Sequence, residues 1–181
     1  KTLGNVADPF TIVTAYGVDA VRYYLLREIS PYEDGDFSEA RFKERYTADL
    51  ANGLGNLTAR LAALGEKCGP IALKELGGRA VMPRPAHYDE LMSQYRFRDV
   101  RDGIWAEFAA MDKYINDQKL WQQEAQILKH GVAACAMNLL YQTQLLEPFL
   151  PNAALRIREQ FAVDGDMLTI TKGAPLFPRI S

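Results

Sequence analysis

The chain has 181 residues, of which 48% are hydrophobic and 24% charged, and it carries a formal net charge of -2. That length fits one domain, or one domain with a piece of another, and can bury a sizeable core. The near-neutral balance excludes nucleic-acid binding by bulk positive charge, so any RNA contact must rest on a local set of side chains.

The predicted elements are helical throughout. Asp8-Pro9 reads as an N-cap followed by proline at the first helical position, and Gly17 should stop that helix. A second helix is predicted over Val18 to Ile29, ended by Pro31. The stretch from Ser30 to Asp36 carries Pro, Gly and acids and reads as a connector, which places a boundary there. Ser38 is the expected N-cap of the next element. Phe42, Tyr46, Leu50, Leu54, Leu57, Leu61 and Leu64 then recur at three- and four-residue steps, which predicts a long amphipathic helix. Gly53 and Gly55 sit inside it, each costing about 1 kcal/mol relative to alanine, so they should mark a bend or a close crossing.

Residues 69 to 85 are rich in Gly and Pro and read as a loop. Helical signal resumes near His87, and Ile104, Phe108, Met111 and Ile115 form one stripe. Another long helix is predicted after Trp121, with Leu128, Val132, Cys135, Leu139 and Leu146 on one side. Pro148 and Pro151 should end it, and residues 152 to 161 should form a short helix before an extended tail. No segment alternates with period two over several strands. The fold class expected is therefore all-α, an antiparallel helix bundle.

Little in the sequence points to catalysis. His87 and His130 are far apart, with no nucleophile or metal-ligand spacing around them. Glu33, Asp34 and Asp36 cluster in the connector, where solvated carboxylates are the simpler reading than an acid–base pair. Cys68 and Cys135 lack CxxC spacing and nearby histidines, so no metal site is expected and the thiols should be buried and reduced, as in a cytoplasmic protein. No apolar run approaches the roughly 18 residues of a membrane span.

Binding has more support. Asn52, Asn56 and Arg60 lie four apart on the long helix, offset from its leucine stripe. An amide and a guanidinium one turn apart can address the polar edge of an unpaired base. Trp121, at a predicted helix start, could offer a ring face for stacking, as single-stranded RNA loops require. From spacing alone, the edge of a solvated face and a core anchor are the simpler readings of the same residues. Trp105, beside the Ile104 stripe, is expected in the core.

Several segments together resemble methionyl-tRNA synthetases, a class I family. Lys1-Thr2-Leu3-Gly4-Asn5 resembles the second half of the family's Lys-Met-Ser-Lys-Ser loop. Tyr16-Gly17-Val18-Asp19-Ala20-Val21-Arg22-Tyr23-Tyr24 resembles the region after it. Asp36-Phe37-Ser38, the run from Tyr46 to Leu57 with Asn52-Gly53-Leu54-Gly55-Asn56, Lys113-Tyr114-Ile115 before Trp121, and Glu147-Pro148-Phe149-Leu150-Pro151 continue the resemblance in order. Leu176-Phe177-Pro178-Arg179-Ile180 is similar to the end of the family's anticodon-binding domain. Two positions depart from the family's frequent pattern, Asp112 in place of asparagine and Leu120 in place of proline.

The resemblance implies a division into residues 1–35, the end of the catalytic core with its connecting segment, and residues 36–181, the anticodon-binding bundle. It implies recognition of the CAU anticodon of methionine tRNA by Asn52, Asn56, Arg60 and Trp121. Lys1 would be the remnant catalytic lysine of the ATP loop, whose charge stabilises a transferring phosphate. The parent enzyme would ligate methionine to its tRNA with ATP and Mg2+, in the cytoplasm and without a membrane partner. A piece beginning inside that loop would be inactive and bind no cofactor alone. The competing readings are a bundle from the cysteine, leucine, isoleucine or valine enzymes, or a helical protein-interaction module.

Overall fold

The computed structural model describes residues 8–30, 32, 35–76 and 84–180. Each predicted helix is present. The first, α1 (Pro9–Tyr16), starts where the Asp8 carboxylate accepts the backbone N–H groups of Phe10 and Thr11 at 3.1 and 3.2 Å, two donors that the helix itself cannot satisfy. It ends at Gly17, whose φ of 83° falls in the left-handed region that glycine adopts freely. α2 (Val18–Glu28) follows directly. Pro31, expected to end it, lies outside the described residues.

Ser38 caps α3 (Glu39–Arg45) by accepting from the Arg41 N–H. The long helix expected from there is continuous to Glu66, but its middle is not α-helical. Residues Tyr46–Gly55 form a π-helical segment, and α-helix resumes as α4 (Asn56–Glu66). In a π-helix the carbonyl of one residue is matched to the residue five positions on. A Cβ at Gly55 would stand 2.9 Å from the Leu50 carbonyl oxygen, five residues back, which is closer than a side chain tolerates. The glycines thus mark a widened turn. The predicted leucine stripe still faces inward, with Leu50, Leu54, Leu57, Leu61 and Leu64 all buried.

α5 (Ala86–Ser93) and α6 (Phe97–Asp117) come next, and the stripe Ile104, Phe108, Met111 and Ile115 on α6 is buried as expected. α7 (Ala125–Leu146) and α8 (Pro151–Gln160) complete a mostly antiparallel helical bundle. α4, α6 and α8 all pack on α7.

A small sheet accompanies the helices and departs from the strand-free expectation. β1 (Ile71–Ala72), β2 (Phe161–Asp164) and β3 (Met167–Ile170) form it in the order β1-β3-β2. Both pairings are antiparallel, with Phe161 opposite Ile170 and Ile71 opposite Leu168. Two- and four-residue strands are too short for alternation to register. The available signal was Gly165-Asp166 between two short apolar runs, a two-residue hairpin loop whose glycine supplies a positive φ, here 56°.

Polar contacts fasten α2 to the bundle. The buried Asp19 carboxylate accepts the Ala153 N–H at 2.7 Å and the Asn152 amide at 3.0 Å, so a residue of α2 caps the first turn of α8. Arg22 donates to the carbonyls of Pro148 and Phe149 at 2.6 and 3.2 Å. The Tyr23 hydroxyl, kept protonated by burial, donates to Asp49 of the π segment at 2.8 Å, and Arg27 pairs with the same carboxylate. At the other end of the chain, the Arg156 guanidinium holds the carbonyls of Ala174, Pro175 and Leu176, while the Tyr46 hydroxyl donates to that of Pro178. The tail is therefore extended yet seated, with Leu176 and Phe177 buried.

Both cysteines are free and buried, and burial pushes the Cys135 thiol up to about 11. At pH 8 iodoacetamide is expected to label neither thiol in the native protein and both in urea, because the thiolate is the nucleophile; rapid native labelling would contradict the packing. Asp19→Ala is expected to cost about 2–3 kcal/mol in urea denaturation, since it strips the α8 cap and leaves buried donors unmatched. A change below about 0.5 kcal/mol would show that α2 is not fastened there.

Candidate functional site

The four residues singled out in the bundle do not behave alike. Asn56 is the first residue of α4 and is exposed, and among the described residues its side chain has no hydrogen-bond partner. Arg60, one turn later, is half-buried. Its Nη1 donates to Asp112 Oδ1 at 2.9 Å and its Nη2 to Asn116 Oδ1 at 2.7 Å, both acceptors lying on α6. Asn116 in turn donates to Asp112 Oδ2 at 3.1 Å, which closes a ring of three side chains. Arg60 presents a guanidinium of fixed orientation whose charge is already matched by Asp112.

The same guanidinium lies over Trp121, with its central carbon 5.1 Å from the ring centroid. Trp121 stands in a 3-10 turn (Leu120–Gln122) between α6 and α7 and is 45% exposed. One side of the indole is thus covered by a cation, and the residue keeps almost half its surface free for a planar ligand. Arg60 and Trp121, separated by the second half of α4, a long connection, α5 and α6, are brought into contact.

Asn52 lies on the preceding segment and is exposed. It belongs to the π-helical segment, whose wider turn means that four residues fall short of a full turn. It lines a groove of about 330 Å3 with Thr47, Ala51, Arg179 and Ile180, beside the seated tail. Lys1 lies outside the described residues, as do Glu33 and Asp34 of the connector.

Trp105 contrasts with Trp121. Its ring packs on Tyr23 at 4.9 Å and on Phe108 at 5.4 Å between centroids, and its buried indole N–H has no partner among the described residues. That is the environment of a packed anchor, as expected. His87 and His130 are exposed, and His130 contacts the Gln126 carbonyl of its own helix at 2.8 Å. Among the described residues no group of three or more His, Cys, Asp or Glu could hold a metal ion. No helix among them is long and apolar enough to cross a membrane.

The residues that sequence reasoning missed are Asp112 and Asn116. They recur at i and i+4 on α6, which places them on one side of it. Which helix that side meets is a matter of tertiary packing, so nothing in the local sequence ties them to Arg60.

Comparison with known proteins shows the family to which the chain is related. The family described as tRNA synthetases class I (M) matches residues 1–62. The chain is 32% identical to the methionine–tRNA ligase of Halalkalibacterium halodurans across 99% of the chain and 32% of that protein. It is 43% identical to the Thermotoga maritima methionine–tRNA ligase across 67% of the chain and 21% of that protein. The chain thus spans about a third of the length of the curated relatives that it matches from end to end. The crystal structure of apo Mycobacterium tuberculosis methionyl-tRNA synthetase superposes with a TM-score of 0.75, covering 97% of this chain and 41% of that one at 24% identity. Its complex with methionyl-adenylate gives 0.76 at 23% identity, and at that level the likeness establishes the fold.

Arg60→Met is expected to leave the fold intact at a cost of about 1 kcal/mol or less, the worth of a half-exposed cation–π and ion pair. Acrylamide should then quench tryptophan emission more strongly, because Trp121 loses its cover. Unchanged quenching would mean that the stack does not persist in solution.

Proposed function

The chain is homologous to the methionyl-tRNA synthetase family, and from that premise we propose that it reads the CAU anticodon of methionine tRNA. The observation that carries the reading is the Arg60–Trp121 stack with an open indole surface. An unpaired base stacks on Trp121, which supplies affinity of about 1–3 kcal/mol without regard to base identity. Identity is read at the edges. The guanidinium has five N–H donors, of which Asp112 and Asn116 engage two, so donors remain for a base acceptor. Asn56, one turn away and without a side-chain partner among the described residues, offers both a donor and an acceptor. Asn52 extends the surface toward the tail groove, where Arg179 adds a positive charge suited to the backbone of the loop.

The remaining assignments rest on the same premise. Residues 36–181 form the anticodon-binding unit, and residues 1–35 are the end of the catalytic core with its connecting segment. Ligation of methionine to the tRNA, with ATP and Mg2+ as in the family, is proposed for a longer protein of which this chain is the reading part. Lys1 would there neutralise charge on a transferring phosphate. The role of α2 is to hold the reader at a set position, which the fastening of Asp19, Arg22 and Tyr23 onto the bundle supports.

The test is binding of the 181-residue chain to RNA stem-loops that differ only in the anticodon. Selective binding of the CAU loop is expected, weak and with a shallow salt dependence because few phosphates are contacted. Trp121→Ala should weaken it by about 1–3 kcal/mol, a loss that Trp105→Ala does not reproduce at equal folded fraction. Equal affinity for every anticodon, or equal effects of the two substitutions, would contradict the reading.

A further inference from the structure

We propose that Leu120 and Gly131 are positioning residues for base recognition, acting as a knob and socket that set where the Trp121 indole stands. The inference rests on the anticodon reading above for its ligand, but its structural core can be tested without RNA.

The chain reverses sharply after α6. Lys119 adopts φ 45° and ψ 50°, a left-handed conformation that a residue with a side chain holds only where its surroundings require it. The turn that follows is fastened by backbone and side chain. The Gln122 N–H donates to the Lys119 carbonyl at 2.8 Å, and the Gln123 amide donates to the Gln118 carbonyl at 2.6 Å. A 3-10 turn has three residues per turn, so neighbours point about 120° apart. Leu120 therefore points into the bundle, fully buried, while Trp121 points out.

What receives Leu120 is a gap in α7. Gly131 is buried in that helix, and a Cβ there would stand 2.8 Å from Leu120 Cδ2 and 3.0 Å from Cδ1. The leucine methyls occupy the space that any other residue at 131 would fill. Glycine is otherwise unfavourable in a helix interior, and its φ here lies outside the positive range that would require it. The space it leaves is its physical role. Because Leu120 and Trp121 are adjacent in one short turn, the depth at which the leucine seats fixes the height of the indole under the Arg60 guanidinium. Arg60 is itself pinned from α6. The stack is thereby preorganised in the free protein, which spares the ordering cost when a base arrives.

Gly131→Ala adds one methyl to the socket while improving the helix propensity of α7, so the fold should be kept and the turn displaced. Helicity by circular dichroism should match that of the unaltered chain. Affinity for the CAU stem-loop should fall about tenfold, a partial loss of one stacking contact, and acrylamide quenching of tryptophan emission in the free protein should change. Adding Leu120→Val, which removes one methylene from the knob, should restore both. Should Gly131→Ala fail to fold, Leu120→Val alone loosens the seat and is expected to move both readouts in the single variant. Unchanged quenching, or a change that the compensating substitution does not reverse, would overturn the proposal. If the unaltered chain shows no preference for the CAU loop, the anticodon reading fails, and quenching in the free protein still decides the positioning claim.

Discussion

The site depends on one helix. α7 is the common surface on which α4, α6, α8 and the Trp121 turn all pack. Its buried face mixes small residues, Gly131, Ala133, Cys135 and Ala136, with the larger Val132, Leu139 and Leu146. Small side chains let neighbouring elements approach closely, and large ones fix their register, which is how a packed core converts volume into position. With α4 and α6 both set against α7, Arg60 of one reaches Asp112 and Asn116 of the other, and the guanidinium spans the gap between them. The polar ring is a consequence of that packing. Exposed ion pairs contribute too little to impose a helix arrangement, but they can orient a side chain once the helices are in place.

Much of this could be read in the sequence, for identifiable reasons. The caps at Asp8 and Ser38, the stop at Gly17 and the apolar stripes of the long helices are local patterns, and local patterns survive into the fold. The hairpin at Gly165-Asp166 carried a turn signal, but its strands were too short to show alternation. Gly53 and Gly55 announced an irregularity without its kind. Whether a widened helix or a bend results depends on the packing of Leu50 and Leu54 within the wide segment, which no single-residue propensity contains.

The candidate site divides along the same line. Arg60 and Asn56 were legible from spacing on one helix. That Trp121 would lie under Arg60 was not, because the two are joined only through tertiary structure. The spacing argument that grouped Asn52 with them assumed an α-helical turn, whereas Asn52 stands in the π-helical segment and lines a groove with Arg179. Leu120 is the most instructive case. A residue without a ring constraint leaves the turn free in sequence terms, yet packing against Gly131 supplies the constraint that covalent geometry does not.

The reading of the bundle as an anticodon reader stands or falls on whether RNA meets the open indole. Two tryptophans, one exposed and one packed, allow that to be seen directly. In a 15N spectrum of the chain titrated with a CAU stem-loop, the Trp121 indole N–H and the Asn56 side-chain amide should shift, with the Trp105 indole unmoved. A loop of unrelated anticodon at the same concentration should produce neither shift. Equal movement of both indoles, or the same shifts with any loop, would contradict specific reading at this surface.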